Sequence, residues 1–271
     1  MEHRSHDSPT ANATAIKRGS FVLLRALWRI GRRIVPRTVQ RRLEGSAAAL
    51  CLRRTVGPSK YEAELGFWRS EHRRTGGNLR NDAYYRNLTT RVGRLERGFS
   101  FRDKVVVDIG CGPRGSLCWI EDARLKLGID PLNDAYRDLG IGQHPMNYLA
   151  ACGEAIPLRD AVVDVVITIN ALDHVEDAAS AMSEIRRILK PGGTFIGSIG
   201  LRTVPTGTEP CLISREMVHA GLLAGWRIDY EHVFPECDAA NDAYRYADEP
   251  PPPNYRPEVY VLWCRATRPS A

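Results

Sequence analysis

Short apolar runs alternate with helical stretches over the second part of the chain. Apolar runs of this length predict strands that are covered on both faces of a sheet. These runs lie at residues 105–107, 125–129, 165–169, 194–199 and 258–263. The stretches between them predict helices at residues 117–123, 179–189 and 215–223, the last of them capped by Ser214. The alternation predicts an α/β domain built on a largely parallel sheet.

A basic amphipathic helix is predicted at residues 16–35, where Pro36 ends it. At about 100° per residue, its large apolar side chains share one half of the helical wheel and its five arginines share the other. Such a helix lies on an anionic membrane surface, or it packs its apolar face on the domain or on a second subunit. Residues 1–15 are polar and aperiodic, which predicts a disordered tail.

A second helical unit follows, with a break at Gly76 and Gly77 and with Tyr84 and Tyr85 after the break. The pattern therefore divides the chain into four parts. These are a disordered tail (1–15), a basic amphipathic helical segment (16–60), a helical cap (61–100) and the main domain (101–271).

The net charge of +6 is unevenly distributed. Residues 1–60 hold 13 lysines and arginines against 3 acids, whereas the remainder holds 25 basic and 29 acidic residues. Binding of nucleic acid relies on neutralisation of its phosphates by basic side chains. Because the residues after position 60 carry a net negative charge, no nucleic-acid partner is expected. The seven cysteines are scattered and none forms C-x-x-C, so no metal site is expected and a cytoplasmic location is the default. The basic helix adds a peripheral location at the inner membrane face as the alternative.

The strongest chemical signal is residues 105–116, Val-Val-Val-Asp-Ile-Gly-Cys-Gly-Pro-Arg-Gly-Ser. Its three glycines allow a sharp turn and let a ligand lie against bare backbone. A helix starting just after the loop would direct free N–H groups at that ligand. The pattern also fits a dinucleotide site, G-x-G-x-x-G. Asp108 argues against a pyrophosphate there, because two anions would repel, and it suits a ligand with an ammonium or sulfonium group.

These residues resemble the first motif, acid-x-Gly-x-Gly, of the class I S-adenosylmethionine-dependent methyltransferases, and the methyltransferase type 11 sub-family looks similar. The helix-to-strand junction Leu-Lys-Pro-Gly-Gly at residues 189–193 is a second resemblance. The resemblance to this family implies a Rossmann-like, seven-stranded doubly wound sheet with an antiparallel last strand and an N-terminal helical extension. The implied cofactor is S-adenosyl-L-methionine, and the implied role of the helical cap is to fold over cofactor and acceptor.

The resemblance also implies the cofactor-binding residues. Asp130 ends the second strand, 22 residues after Asp108, and a carboxylate there can accept both ribose hydroxyls. Cys152 stands at the usual acidic position of the adenine segment, so its neighbours would contribute mainly backbone contacts. The complete cofactor-binding set is Asp108, Gly110, Cys111, Gly112, Gly115, Asp130, Pro131, Gly153, Glu154 and Asn170.

The acceptor chemistry rests on fewer residues. His174 is the candidate general base, with Asp173 beside it, because an imidazole suits proton transfer near neutral pH. The alternative is a structural histidine at a helix start. Residues 170–173 lack the Asn-Pro-Pro-Tyr tetrad of many amino-group methyltransferases, which favours an oxygen or carbon acceptor. The segment at residues 234–257 is too long for a short hairpin and is either an acceptor-side flap or an ordinary surface loop.

We therefore predict a methyltransferase that acts on a small molecule, a glycan or a lipid-linked intermediate. The basic helix fits a membrane-associated acceptor. Two other classes stay open at this point. One is a non-catalytic protein that binds or assembles through a cofactor-shaped fold, and the other is a nucleotide-dependent oxidoreductase, which Asp108 disfavours.

Overall fold

The computed structural model describes residues 58–95, 98–237 and 243–270. The predicted tail and the predicted basic helix at residues 16–35 lie outside these residues. None of the helices in the described ranges combines the length and the apolar character that crossing a membrane requires.

The described residues form a seven-stranded sheet in the order β3-β2-β1-β4-β5-β7-β6. Strands β1 to β5 pair in parallel, and β7 runs antiparallel to both β5 and β6. This arrangement confirms the predicted Rossmann-like doubly wound sheet with an antiparallel last strand. The strands are β1 (Val105–Ile109), β2 (Leu125–Ile129), β3 (Asn147–Leu149), β4 (Val163–Ile169), β5 (Leu189–Arg202), β6 (Arg227–Pro235) and β7 (Val259–Thr267).

Three of the described helices begin at polar side-chain caps, which are Asn81, Asp177 and Ser214. The Asn81 side chain accepts a hydrogen bond from the Tyr84 amide, and the Ser214 side chain caps the fifth helix. Gly76 and Gly77, at φ +69° and +89°, separate the first two helices. The helices are α1 (Pro58–Arg74), α2 (Asp82–Val92), α3 (Asn133–Tyr136), α4 (Ala178–Ile188) and α5 (Arg215–Gly221).

The sheet is buried on both faces because its central strands carry mainly apolar side chains. All five residues of β1 are buried, and α4 places Met182 and Ile185 against one face. On the other face, Leu88 and Val92 of α2 pack in one cluster with Trp263 of β7. Each fully buried side chain of this kind contributes about 1.5–3 kcal/mol. This packing holds the carboxyl ends of β1, β2 and β4 at one rigid edge.

The connection between β1 and β2 differs from the prediction. The helix predicted at residues 117–123 is absent from the described residues, and residues 112–119 form consecutive turns instead. Pro113 offers no amide proton, and Gly115, at φ +70°, leaves the right-handed helical region. The amide of Cys118 consequently bonds three residues back, to the Gly115 carbonyl at 2.9 Å. The prediction that a helix N-terminus faces the ligand is therefore wrong.

Candidate active site

A cavity of about 590 Å³ opens at the carboxyl ends of β1, β2 and β4. This edge of an open α/β sheet is where ligands bind, and the volume is that of a small-molecule site. Asp108 and Gly115 lie outside its lining, and so does Asp173, whereas His174 is part of it. The predicted cofactor-binding residues that the structure brings together on the cavity wall are Gly110, Cys111, Gly112, Asp130, Pro131, Gly153, Glu154 and Asn170.

The glycine loop turns tightly against the end of β2. Gly110 and Gly112 have φ values of +73° and +55°, a region that L side chains rarely adopt. The Gly110 amide donates to the Ile129 carbonyl at 2.8 Å, which anchors the turn to β2. A Cβ on Gly110 would lie 2.2 Å from the Ala171 Cβ, so the space beside this glycine is already filled.

Gly110→Ala is therefore expected to destabilise the protein by at least ~2 kcal/mol, since it combines left-handed strain with overpacking. Urea unfolding monitored by circular dichroism measures this loss. Gly142→Ala is the matched control, because a Cβ on Gly142 meets nothing within 4 Å. Equal unfolding midpoints for the two variants would contradict the proposed role of the loop geometry.

Asp108 lies behind the glycine loop and is buried. The Ser116 hydroxyl donates to its Oδ2, and its Oδ1 is buried without a hydrogen-bond partner. Burial, together with the nearby charge of Asp130, raises the pKa of Asp108 to about 7. A buried carboxylate with one unsatisfied oxygen is complementary to a cation.

Asp130 is buried at the floor of the cavity, directly after β2. Its Oδ1 accepts from the Leu132 amide at 2.9 Å and its Oδ2 from the Gly112 amide at 3.1 Å. Burial, and then the negative charge of Glu64, raise the pKa of Asp130 to about 7. Each carboxylate oxygen can accept a second hydrogen bond, so Asp130 retains capacity for two hydroxyl donors.

Helices α1 and α2 form the wall opposite the sheet. Tyr84 and Tyr85, predicted as cap residues, line the cavity. Lys60, Glu64 and Trp68 of α1 also line it, and these were missed from the sequence. Their spacing of four residues places them on one face of a helix, which is a signal that the sequence contains. They were missed because the pattern does not show which face of α1 meets the sheet edge.

His174 follows β4 in a short 3-10 turn, Leu172–His174. Its Nε2 lies 3.7 Å from Glu209 Oε1, and neither ring nitrogen has a hydrogen-bond partner. Asp173, proposed beside it from the sequence, is instead fully buried, and its Oδ2 lies 3.2 Å from Arg202 Nε. The carboxylate that approaches the imidazole therefore comes from Glu209, on the loop after β5, which the sequence analysis did not identify.

The segment between β6 and β7 also reaches the cavity. Tyr244 lines it and packs edge-on against Phe234 and Trp263, at centroid distances of 6.4 and 5.5 Å. Arg91 of α2 pairs with Asp248 of this segment at 2.5 Å. The segment predicted as a flap or surface loop thus contributes one residue to the cavity wall and forms an ion pair with α2. Residues 238–242 of this segment are not described.

Asn170 marks backbone strain at the end of β4. It has φ +52° without being glycine, and its amide donates to the Ser198 carbonyl at 2.9 Å. Strained residues of this kind cluster at functional sites.

Over the described ranges, no group of three or more His, Cys, Asp or Glu side chains could hold a metal ion.

The strand order, the glycine loop and the acid after β2 are those of a class I S-adenosylmethionine-dependent methyltransferase domain. The residues fit the cofactor. Asp130 has two acceptor positions left for ribose hydroxyls, and Asp108 has a buried oxygen left for a cation. Residues 107–197 match the family described as "Methyltransferase domain".

Related proteins carry the same domain. The chain is 27% identical over 207 residues to an uncharacterized methyltransferase of Mycobacteroides abscessus, covering 73% of this chain and 72% of that protein. It is 35% identical over 98 residues to a sterol 4-C-methyltransferase of Caenorhabditis elegans, covering 33% of this chain but only 29% of that protein. The complex between the Haloferax volcanii Trm112 methyltransferase activator and a methyltransferase shares the fold (TM-score 0.51, 17% identity, 78% of this chain and 97% of that chain).

Proposed function

We propose that the protein transfers the methyl group of S-adenosylmethionine to an oxygen or carbon nucleophile of a small-molecule acceptor. The observation that carries the proposal is the position of His174. Its imidazole lines the same cavity as the cofactor loop, with both ring nitrogens lacking a hydrogen-bond partner. A hydroxyl acceptor must lose a proton as it is methylated, and a histidine at this position can accept it.

The cofactor end of the cavity is assigned to the residues after β1, β2 and β3. When bound, the cofactor supplies an electrophilic methyl group on a sulfonium sulfur. We infer that Asp130 accepts the ribose hydroxyls and that Gly153 and Glu154 border the adenine. We also infer that Asp108, buried behind the glycine loop and outside the cavity lining, contributes negative charge to the end of the cavity that holds the cationic part. Alignment of donor and acceptor contributes most of the rate of a direct displacement.

We further infer that Glu209 is the carboxylate that supports His174 as a base. Arg202 Nη2 lies 3.6 Å from Glu209 Oε1, and the same guanidinium pairs with Asp173. The Thr206 hydroxyl also donates to Glu209. Two fixed partners hold Glu209 near the imidazole, where its negative charge stabilises the imidazolium formed on proton transfer. Asp173 acts indirectly, because its carboxylate holds Arg202, which in turn contacts Glu209.

The acceptor is assigned to the aromatic side of the cavity. Phe67 and Tyr84 line the cavity, yet 57% and 43% of their surfaces are exposed, so apolar surface faces solvent at its rim. This rim supports an acceptor with an apolar part, in line with the lipid-linked intermediate among the acceptors predicted from the sequence; it gives no support to a glycan. The sterol specificity in the name of the nematode relative is of the same apolar kind. Association with an anionic membrane through residues 16–35 stays a prediction.

A His174→Asn variant tests the assignment of the base. With a panel of hydroxylated acceptors and release of S-adenosylhomocysteine as the readout, turnover is expected to fall by about 10²–10⁴-fold. Its affinity for S-adenosylhomocysteine should stay within about twofold of wild type, because the imidazole is assigned to the acceptor and not to the cofactor. Wild-type turnover in this variant would refute the role of His174. His72→Asn, on an outlying turn of α1, is the matched control.

A further inference from the structure

Arg114 belongs to the glycine loop, two residues after Gly112, and lines the cavity. Its guanidinium carbon lies 5.5 Å from the centroid of the Tyr84 ring and 6.0 Å from that of Trp68. Cation–π contacts of this kind orient a guanidinium without neutralising it. The planar group is thus held against the helical wall, at the edge of the cofactor loop.

Arg114 forms no salt bridge in the described part of the chain, although its charge acts on Glu71 at longer range, and its Nε is buried without a hydrogen-bond acceptor. Other partly buried arginines, in contrast, form ion pairs with carboxylates. Arg91 pairs with Asp248, and Arg187 and Arg202 each contact two carboxylates. A buried donor left unsatisfied costs free energy, so the unsatisfied Nε of Arg114 at the cavity wall indicates that a ligand supplies its acceptor.

The opposite charge at this end of the cavity is the carboxylate of Asp108. Asp108 and Arg114 both act on the buried phenol of Tyr85: burial and the Asp108 charge raise its pKa, whereas the Arg114 charge lowers it. The charges of a carboxylate and of a guanidinium therefore both act on one side chain at this end of the cavity. An α-amino acid group carries an ammonium and a carboxylate on a single carbon, and this pair of charges is complementary to it.

We propose that Arg114 binds the carboxylate of the amino acid portion of the cofactor. The inference rests on the proposed function, because it assumes the cofactor orientation assigned there. Lys60 is the other basic side chain on the wall, but its Nζ donates to the His174 carbonyl. That position is at the end of β4, on the acceptor side. Arg114, in the loop itself, is the cation placed for the cofactor.

The test is calorimetric titration of the full-length protein with two ligands. One is S-adenosylhomocysteine, and the other is its decarboxylated analogue S-adenosyl-3-thiopropylamine, which keeps the ammonium but lacks the carboxylate. For Arg114→Gln we expect affinity for the first to fall about 10- to 100-fold, as for a lost charge-assisted contact. Affinity for the analogue should be unchanged within about twofold. Arg114→Lys should recover part of the loss, because it keeps the charge.

Arg86→Gln, exposed on α2, is the matched control and should bind both ligands as wild type does. Unchanged affinity of Arg114→Gln for S-adenosylhomocysteine would overturn the inference. So would an equal loss for both ligands, since that would indicate a general distortion of the loop. Failure of the wild type to bind either ligand would instead refute the proposed function, so the two failures are distinguishable.

Discussion

Asp130→Ala is expected to weaken the binding of S-adenosylhomocysteine by at least about 100-fold. The buried carboxylate has two acceptor positions left after its bonds to the Leu132 and Gly112 amides. We assign these positions to the ribose hydroxyls. A hydrogen bond to a charged group contributes about 1.5–3 kcal/mol, and each 1.4 kcal/mol is a tenfold change in affinity. Isothermal titration calorimetry measures the difference.

The control for this prediction is Asp134→Ala, four residues further on. The Asp134 side chain is 57% exposed and, among the described residues, forms an ion pair only with Arg137 of the next turn, so its loss should leave affinity unchanged. Thermal unfolding of both variants separates a local loss from a folding defect. Affinity of a folded Asp130→Ala protein within about threefold of wild type would refute the assignment of Asp130 to the ribose.

The affinity for S-adenosylhomocysteine is expected to rise as pH increases from 6 to 8. The pKa of Asp130 is raised to about 7 in the free protein by burial and by Glu64, so much of this carboxyl group is protonated at pH 6. Hydroxyl donors favour the ionised form. Binding should therefore release protons, and a single group changes affinity by at most tenfold per pH unit. Titrations in two buffers of different ionisation enthalpy measure the release.

The free protein should show the opposite trend in its own stability. Because burial raises the pKa values of Asp108 and Asp130 above those of exposed carboxyl groups, the folded state binds more protons than the unfolded state between about pH 4 and 7. The free energy of unfolding should fall as pH rises through this range. Urea unfolding at successive pH values checks it, and Asp130→Asn should reduce the slope. An affinity and a stability that are both independent of pH would refute the protonation of these groups.

Much of the fold was predictable because it depends on local pattern. The run at residues 105–107 predicts a buried strand without reference to anything distant, and β1 is buried at every position. The cap at Ser214 and the break at Gly76 and Gly77 follow from the same local rules. The helix predicted after β1 failed for a local reason as well. Pro113 and Gly115 favour turns, and the expected helix was placed by analogy with other α/β loops.

The candidate site was predictable where chain order determines proximity. Parallel strands bring their carboxyl ends to one edge, so the glycine loop, Asp130 and Asn170 were bound to be neighbours. The carboxylate that approaches His174 could not be predicted in this way. Asp173 is adjacent in sequence, yet the turn Leu172–His174 sends its side chain into the protein toward Arg202, and Glu209 approaches from 35 residues away.

By itself, the sequence determined the sheet, the cofactor loop and the class of cofactor, because these depend on periodicity and on residues a few positions apart. Only the tertiary structure decided which charges meet in the cavity. It buried Asp173, brought Glu209 to His174, and left Arg114 against Tyr84 without a salt bridge to any residue in the described ranges. Such pairings depend on how separate elements pack, and the energy of a charge depends on its burial and its nearest partner.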